Sequence, residues 1–314
     1  MLRVRRFAPV RAAAGRLFAL AWLCGAALLA GCEEDVHPFI GTNLPFSVYG
    51  LVNPKADTHA VRVFTIDDEL RLVSPDPIDA VVSLLHPASG ERFFWQDSVI
   101  RLPNMDYRHV FWLAEPVIGG ERYRLEVERS DGVVTRSEDV TVPLPIAIEI
   151  VPTDEQALST IELPINLIGE PPALPRIELV YDTYSVNSAG IRQAELPVLI
   201  SYTGQQIRRE EGGWSLTITL RDDFRLIART YAERELPSEF ICAVSLRLDV
   251  HVGNAEWVSP IGVFDENFLV EPGTLNNIEN GFGFFGAGFV ETVTWLPPQL
   301  ILLQAGFDEC ATSS

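Results

Sequence analysis

The sequence predicts an all-β protein: two β-sandwich-like domains in series, with one short helix in the second. Three observations predict it. From Phe46 onward, apolar and polar residues alternate over short runs, the period-two pattern of half-buried strands. Those runs are punctuated by Gly, Pro, Asn and Asp at short intervals, without the helical stretches that βαβ units require. Only the segment from Asp223 to about Ala232 has helical spacing, with Phe224, Ile227, Ala228 and Tyr231 at i, i+3, i+4 and i+7.

The chain opens with a different pattern. Arg3, Arg5, Arg6, Arg11 and Arg16 precede an apolar run, Leu17 to Ala30, of 14 residues. A spanning helix needs about 20 such residues. A basic start, a short apolar core and small residues before a cut describe a secretory signal over residues 1–31. Leu29-Ala30-Gly31-Cys32 resembles the lipobox of bacterial lipoproteins. The resemblance implies a diacylglycerol thioether on Cys32, cleavage before it and acylation of the new amino terminus. Each buried CH₂ of such chains contributes about 0.8 kcal/mol, so several chains anchor the protein stably to a membrane.

Residues 32–44 form an acidic tether: Glu33-Glu34-Asp35 first, then Pro38, Gly41 and Asn43, with no periodicity. Acids directly after the lipidated Cys resemble the surface-export signal of lipoproteins in lineages with Sus-type uptake. The alternative is a solvated spacer. Loss of the five signal arginines takes the formal charge from −19 to −24. That balance excludes nucleic acid as a partner and argues against a polybasic contact with anionic surfaces.

The strands of the first domain, 45–144, follow in order. Phe46–Val52, His59–Ile66, Ala80–Leu85, Arg92–Trp95 and Arg108–Leu113 are β-rich runs. Tyr123–Glu128 alternates, Ser130-Asp131-Gly132 turns, and Val133–Thr135 runs back, which makes the clearest hairpin. Pro143-Leu144-Pro145 breaks pairing and opens the second domain, 145–314. Its strands are expected at Ile146–Val151, Thr160–Ile168, Ile177–Tyr184, Leu196–Tyr202, Trp214–Leu220, Phe240–Val252, Phe289–Trp295 and Gln299–Leu303. Asp222 is placed to cap the helix.

The most distinctive internal stretch is Asn277 to Gly288. Gly281-Phe282-Gly283-Phe284-Phe285-Gly286 has the spacing of a dinucleotide fingerprint. It follows no strand that opens a helix, and its intervening residues are aromatic, which suits a sheet. Asn280-Gly281 favours a tight turn. The later glycines allow bulges or close backbone approach. Asn277, Asn280, Gly281, Gly283, Phe285 and Gly286 are therefore candidates for a structural motif or a contact motif.

With the Gly120-Glu121-Arg122-Tyr123-Arg124-Leu125-Glu126-Val127 hairpin and the Asn277–Gly286 stretch, the chain resembles domain-of-unknown-function family 4249 of bacterial surface-type lipoproteins. That resemblance implies an accessory role beside a TonB-dependent receptor of the outer membrane. It transfers no catalytic residue.

Other chemistry is looked for residue by residue. The five histidines, His37, His59, His86, His109 and His251, form no metal-spaced pair. There is no G-x-S-x-G elbow and no C-x-x-C. Asp67-Asp68-Glu69 and Asp222-Asp223 lack the spacing of a calcium loop. No cofactor and no metal site is called for. Cys242 and Cys310 are left for a disulfide in an oxidising compartment. The expected function is a non-enzymatic binding or accessory module, lipid-anchored to the outer membrane. The alternatives are a lipid-anchored hydrolase whose site is dispersed in sequence, or a structural envelope protein.

Overall fold

The computed structural model describes residues 44–66, 76–101, 107–150, 161–169, 175–202, 204, 206–254 and 276–309. The signal, Cys32, the tether up to residue 43, Asp67-Asp68-Glu69 and Cys310 lie outside them. The chain runs β1 (Phe46–Val52), β2 (His59–Thr65), β3 (Val81–His86), β4 (Glu91–Phe94), β5 (Gln96–Arg101), β6 (Tyr107–Leu113), β7 (Arg122–Glu128), β8 (Val134–Ser137) and β9 (Val140–Thr141). It continues as β10 (Ala147–Ile150), β11 (Glu162–Ile168), β12 (Arg176–Val186), β13 (Arg192–Tyr202), β14 (Ile207–Glu210) and β15 (Gly213–Thr219). Helix α1 (Leu220–Glu233), β16 (Phe240–Gly253), β17 (Ile278–Glu279), β18 (Gly281–Trp295) and helix α2 (Gln299–Ala305) complete it. The all-β, sandwich-like class is as the alternation predicts.

Among the described residues three sheets carry the fold. One has eight strands in the order β13-β12-β16-β18-β1-β2-β6-β5. The second has the order β10-β11-β15-β14, and the third runs β17-β8-β7-β3-β4, with β9 beside β7. The described residues build two cores. One draws on Phe46 to Val142 and returns for Ile278, Phe285 and Ala287. The other draws on Ile146 to Phe307. Core membership thus changes across Pro143-Leu144-Pro145, where the sequence places a boundary.

A single sheet nonetheless runs behind both cores, and β18 is its splice. Residues 281–287 pair in parallel with β1, and residues 288–295 pair antiparallel with β16. Its first half supplies Phe285 and Ala287 to one core, and its second half supplies Phe289 to the other. The stretch from Ile278 to Ala287, assigned by sequence to the second domain, therefore completes the core of the first. Asn43–Ser314 forms one compact unit.

Two corrections concern helices. The segment Gln299–Leu303, expected as a strand, is the helix α2, so the chain has two helices among the described residues. Four apolar residues in a row, Leu300–Leu303, fit either state, and the neighbours decide. Pro298 stands at the N-cap, and Gly306 closes the helix at φ 118° with its N–H on Leu302 and Leu303 carbonyls. Ile301, Leu302 and Ala305 then face the core.

Helix α1 starts at Leu220, not at Asp223, and its N-cap is Thr219. It issues directly from β15. Leu220 is fully buried, and its N–H donates to the Ile161 carbonyl at 3.1 Å, which turns the strand end into the first helical turn. Asp222 does not cap. It lies exposed in that turn, paired with Arg225 at 2.8 Å.

Candidate functional site

The Asn277–Gly288 segment is where the chain passes from one sheet to another. β17 pairs with β8, whereas β18 pairs with β1. The residue between them, Asn280, sits at φ 53°, the left-handed conformation that Asn tolerates better than most residues. Its side-chain N–H donates to the Val134 carbonyl at 2.9 Å. Its own carbonyl accepts from the Thr135 hydroxyl at 2.7 Å. The tight turn expected at Asn280-Gly281 is therefore a corner between sheets and not a hairpin.

The glycines permit close contact. A Cβ on Gly281 would lie 2.6 Å from Thr135 Cγ2 and 2.7 Å from the Phe46 carbonyl oxygen. Gly283, at φ 113°, would place a Cβ 1.9 Å from the Val48 carbonyl oxygen. Both positions lie along the parallel pairing with β1, and both need the bare backbone. Gly286 is buried opposite Leu51.

Two asparagines stand in for a neighbouring strand along this half of β18. Asn277 Oδ1 accepts from the Phe285 N–H at 2.9 Å, and its Nδ2 donates to the Phe285 carbonyl at 2.8 Å. The Asn277 N–H donates to the Gly283 carbonyl at 3.2 Å. Asn254 repeats the device one pleat on, with Oδ1 accepting from the Ala287 N–H and its own N–H donating to the Ala287 carbonyl, both at 2.9 Å. Buried backbone groups that a strand would satisfy are satisfied by amides. Asn254 was not singled out by sequence, because nothing adjacent marks it. Of the sequence-marked motif, Asn280 is exposed, while Asn277, Gly281, Gly283, Phe285 and Gly286 are buried.

A second polar constellation lies under α1 and was not foreseen. Four residues of α1 are buried, Leu220, Asp223, Ile227 and Tyr231, and two of them are polar. Asp223 Oδ2 accepts from the Tyr181 hydroxyl at 2.6 Å and from the Tyr202 hydroxyl. Tyr231 shares a hydrogen bond with the Thr183 hydroxyl, which also donates to the Leu196 carbonyl at 2.6 Å. Burial raises the Asp223 carboxyl above its ordinary range, although the two phenol hydrogen bonds oppose that rise. Burial, with the neighbouring carboxylate second, pushes both phenols well above theirs. The two phenols therefore hold their protons and donate to Asp223, and the network acts as a polar bolt between α1 and β12–β13.

The four described histidines are spread over the fold. His59 is held between the Asn53 N–H and the Glu115 carbonyl, and burial lowers its pKa. His86 meets Ser89 and Glu121, and His109 meets Asp97 at 3.1 Å. His251 lies 3.3 Å from Glu178, which also pairs with Arg176. No three His, Cys, Asp or Glu residues gather in metal-binding geometry among the described residues.

Cys242 is fully buried on β16 and is disulfide-bonded. The C-terminal segment runs beside it. The Asp308 N–H donates to the Ile241 carbonyl at 2.9 Å, and the Ile241 N–H donates to Asp308 Oδ2 at 2.7 Å. The expected partner, Cys310, lies outside the described residues.

No protein-family model matches the chain, and no curated protein is similar to it.

Proposed function

We propose that the chain is a lipid-anchored outer-membrane protein whose β body works by contact: an accessory binding module for a TonB-dependent receptor or for the solute that receptor takes up. The observation that carries this reading is Leu29-Ala30-Gly31-Cys32 behind a short apolar run and a basic start. An anchor holds the body beside membrane partners, so weak contacts gain effective concentration. A frame of packed sheets suits loops that recognise a partner. The resemblance to family 4249 suggests the receptor.

The Asn277–Gly286 motif serves this reading as scaffold. Its buried Asn277 amide and its glycines splice β18 into the long sheet, which leaves recognition to exposed loops. Membrane fractionation tests the anchor. Cys32→Ser is expected to lose the acyl anchor: it leaves the outer-membrane fraction and keeps an unprocessed signal. A Ser variant that sediments and is processed like the native chain overturns the anchor. Capture from detergent-solubilised outer membrane tests the partner. Recovery of a TonB-dependent receptor is expected, and a deletion strain with unchanged receptor-dependent uptake overturns the accessory role.

A further inference from the structure

The sandwich around the first core has two outward sheet faces, and they differ. On the β17-β8-β7-β3-β4 sheet three outward arginines are matched: Arg92 with Glu126, Arg124 with Asp139 at 2.6 Å, and Arg136 with Glu279 at 2.6 Å. That is the ordinary solvated side of an antiparallel sheet. The outward side of β1, β2, β6 and β5 is of another kind.

Alternation fixes which residues lie there. Val48 of β1, Val61 and Val63 of β2, and Phe111 of β6 belong to the core, so their neighbours in sequence face outward. These neighbours include Tyr49, Leu51, Arg62, Phe64, Val110 and Trp112, all half-buried. Arg62 sits between Tyr49 on one neighbouring strand and Val110 on the other, and Ala60 sits between Leu51 and Trp112. The outward positions of the four strands carry two arginines, Arg62 and Arg108, and no Asp, Glu or Lys. Asp97 of β5 turns the other way, to His109 at 3.1 Å. Arg108 donates to the Tyr107 carbonyl at 2.9 Å. Arg62 has no acceptor and no ion pair among the described residues.

A half-buried cation among apolar neighbours costs stability unless a counter-charge meets it. Aromatic residues and Arg, with Lys, Asp and Glu absent, are the composition of the buried centre of a protein–protein interface, and an Arg ringed by apolar side chains is a common hot spot there. Resting on the accessory reading, we propose that the outward face of β1-β2-β6-β5 is where a protein partner docks, with a carboxylate of that partner on Arg62.

Charge, size and position select this occupant. A mature chain at −24 receives a partner's carboxylate only where its own acids are absent, as they are on this face. A second copy would bring the same acid-free face, arginine toward arginine about a two-fold axis. Four strands of seven residues or fewer cover roughly 400 Å². That is about half of what each side of a standard stable complex buries. Such a contact is weak alone, and the anchor's effective concentration makes up the difference. The described chain enters the fold at Leu44, directly before β1, so the face belongs to the strands beside the tether.

Photocrosslinking in intact cells tests it. The full chain carries benzoylphenylalanine in place of Ala60 or Ser98, exposed on this face, or of Val134, exposed on the opposite sheet. An adduct with one outer-membrane protein is expected from Ala60 and Ser98 and not from Val134. Arg62→Glu and Arg62→Leu should each lower its yield at least about tenfold, the scale of a lost hot spot. Arg136→Glu on the opposite sheet should leave the yield unchanged. Reversing the partner's contacting carboxylate to arginine should restore the adduct to Arg62→Glu and not to Arg62→Leu. Unchanged thermal midpoints show that the variants fold, and the leucine, which suits an apolar face, carries the test if the glutamate does not fold.

An adduct indifferent to both Arg62 variants overturns the proposal. So does an adduct between two copies, or binding to phosphatidylglycerol vesicles or to glycans that Arg62→Leu abolishes while no protein adduct forms, because the face then has another occupant. A receptor captured from solubilised membrane, with an adduct from Val134 alone or from no position, removes the face and leaves the accessory reading. No capture and no adduct removes both.

Discussion

Asn277 and Phe285 are joined by two hydrogen bonds, side-chain amide to backbone amide, at 2.9 and 2.8 Å. The pair imitates one rung of a β-ladder on the side of β18 away from β1, where no strand among the described residues pairs with it. Asn277→Ala removes both partners and leaves a buried N–H and a buried carbonyl unsatisfied. At about 1–3 kcal/mol for such a group, the loss is expected to reach roughly 2–4 kcal/mol. Urea unfolding checks it. Asn277→Asp should also destabilise at neutral pH, because a carboxylate accepts from Phe285 but cannot donate to it. An alanine variant within about 0.5 kcal/mol of the native chain, the ordinary scatter of surface substitutions, contradicts the rung.

The glycine positions make a sharper prediction. Gly283→Ala places a methyl group on the Val48 carbonyl at a backbone φ of 113°. Nothing short of parting β1 from β18 relieves that contact, so little folded protein is expected on expression. Gly90 shares a positive φ, 74°, but a Cβ there meets no atom within 4 Å. Gly90→Ala should therefore cost only the left-handed conformation, about 1 kcal/mol. Yield and thermal midpoint, compared for the two variants, separate steric exclusion from backbone preference. Equal behaviour contradicts the close approach of β1 and β18.

Local patterns were legible in the sequence, and long-range ones were not. The hairpin from Tyr123 through Ser130-Asp131-Gly132 was evident because alternation and turn chemistry coincide, and β7 and β8 bear it out. The run after Trp95 was missed, because Gln96–Arg101 is an edge strand with every residue exposed and so has no apolar face to announce it. The parallel pairing of Phe46 with Gly281 joins positions far apart in the chain. The glycines signal close approach there without naming the neighbour. Asp223 reads in sequence as part of a helix start, and only the tertiary structure brings Tyr181 and Tyr202 to it. Leu300 and Leu303 fit a strand pattern in sequence, and only the helix bounded by Pro298 and Gly306 puts them on its exposed side.

Asp223 predicts an unusual pH dependence. Its carboxyl is raised in the folded chain, so the folded state holds that proton more tightly than the unfolded state does. By linkage its contribution is fully present below the ordinary carboxylate value, about 3.9, and is lost as pH rises through the folded value. His59 acts in the opposite sense. Its lowered pKa means that stability present above the ordinary histidine value is lost as pH falls through the folded value. Asp223→Asn keeps an oxygen for the two phenols and removes the titration. Urea unfolding at a series of pH values should show a flatter profile above pH ~4 for the variant than for the native chain. Superimposable profiles contradict the assignment. Tyr181→Phe with Tyr202→Phe should raise the Asp223 carboxyl further, because the hydrogen bonds that favour its charged form are gone.

The disulfide at Cys242 is expected to close on Cys310. The chain returns to β16 at Asp308, two residues before Cys310, and is held there in both directions by Ile241. Cys32 is committed to lipid in the proposed anchor, and Cys24 leaves with the signal. The closed loop spans 68 residues. In the chain-entropy model such a loop stabilises by about 4 kcal/mol, less any native strain. Peptide mapping without reduction should recover the pair of half-cystine peptides. Cys310→Ser should lower unfolding stability by up to about 4 kcal/mol, and dithiothreitol should then change the variant no further. Cys32→Ser should leave both results untouched. A Cys242 peptide linked to any other cysteine contradicts the pairing. Two free thiols in the unfolded, unreduced mature chain contradict the bond itself and with it the tethered C-terminal segment.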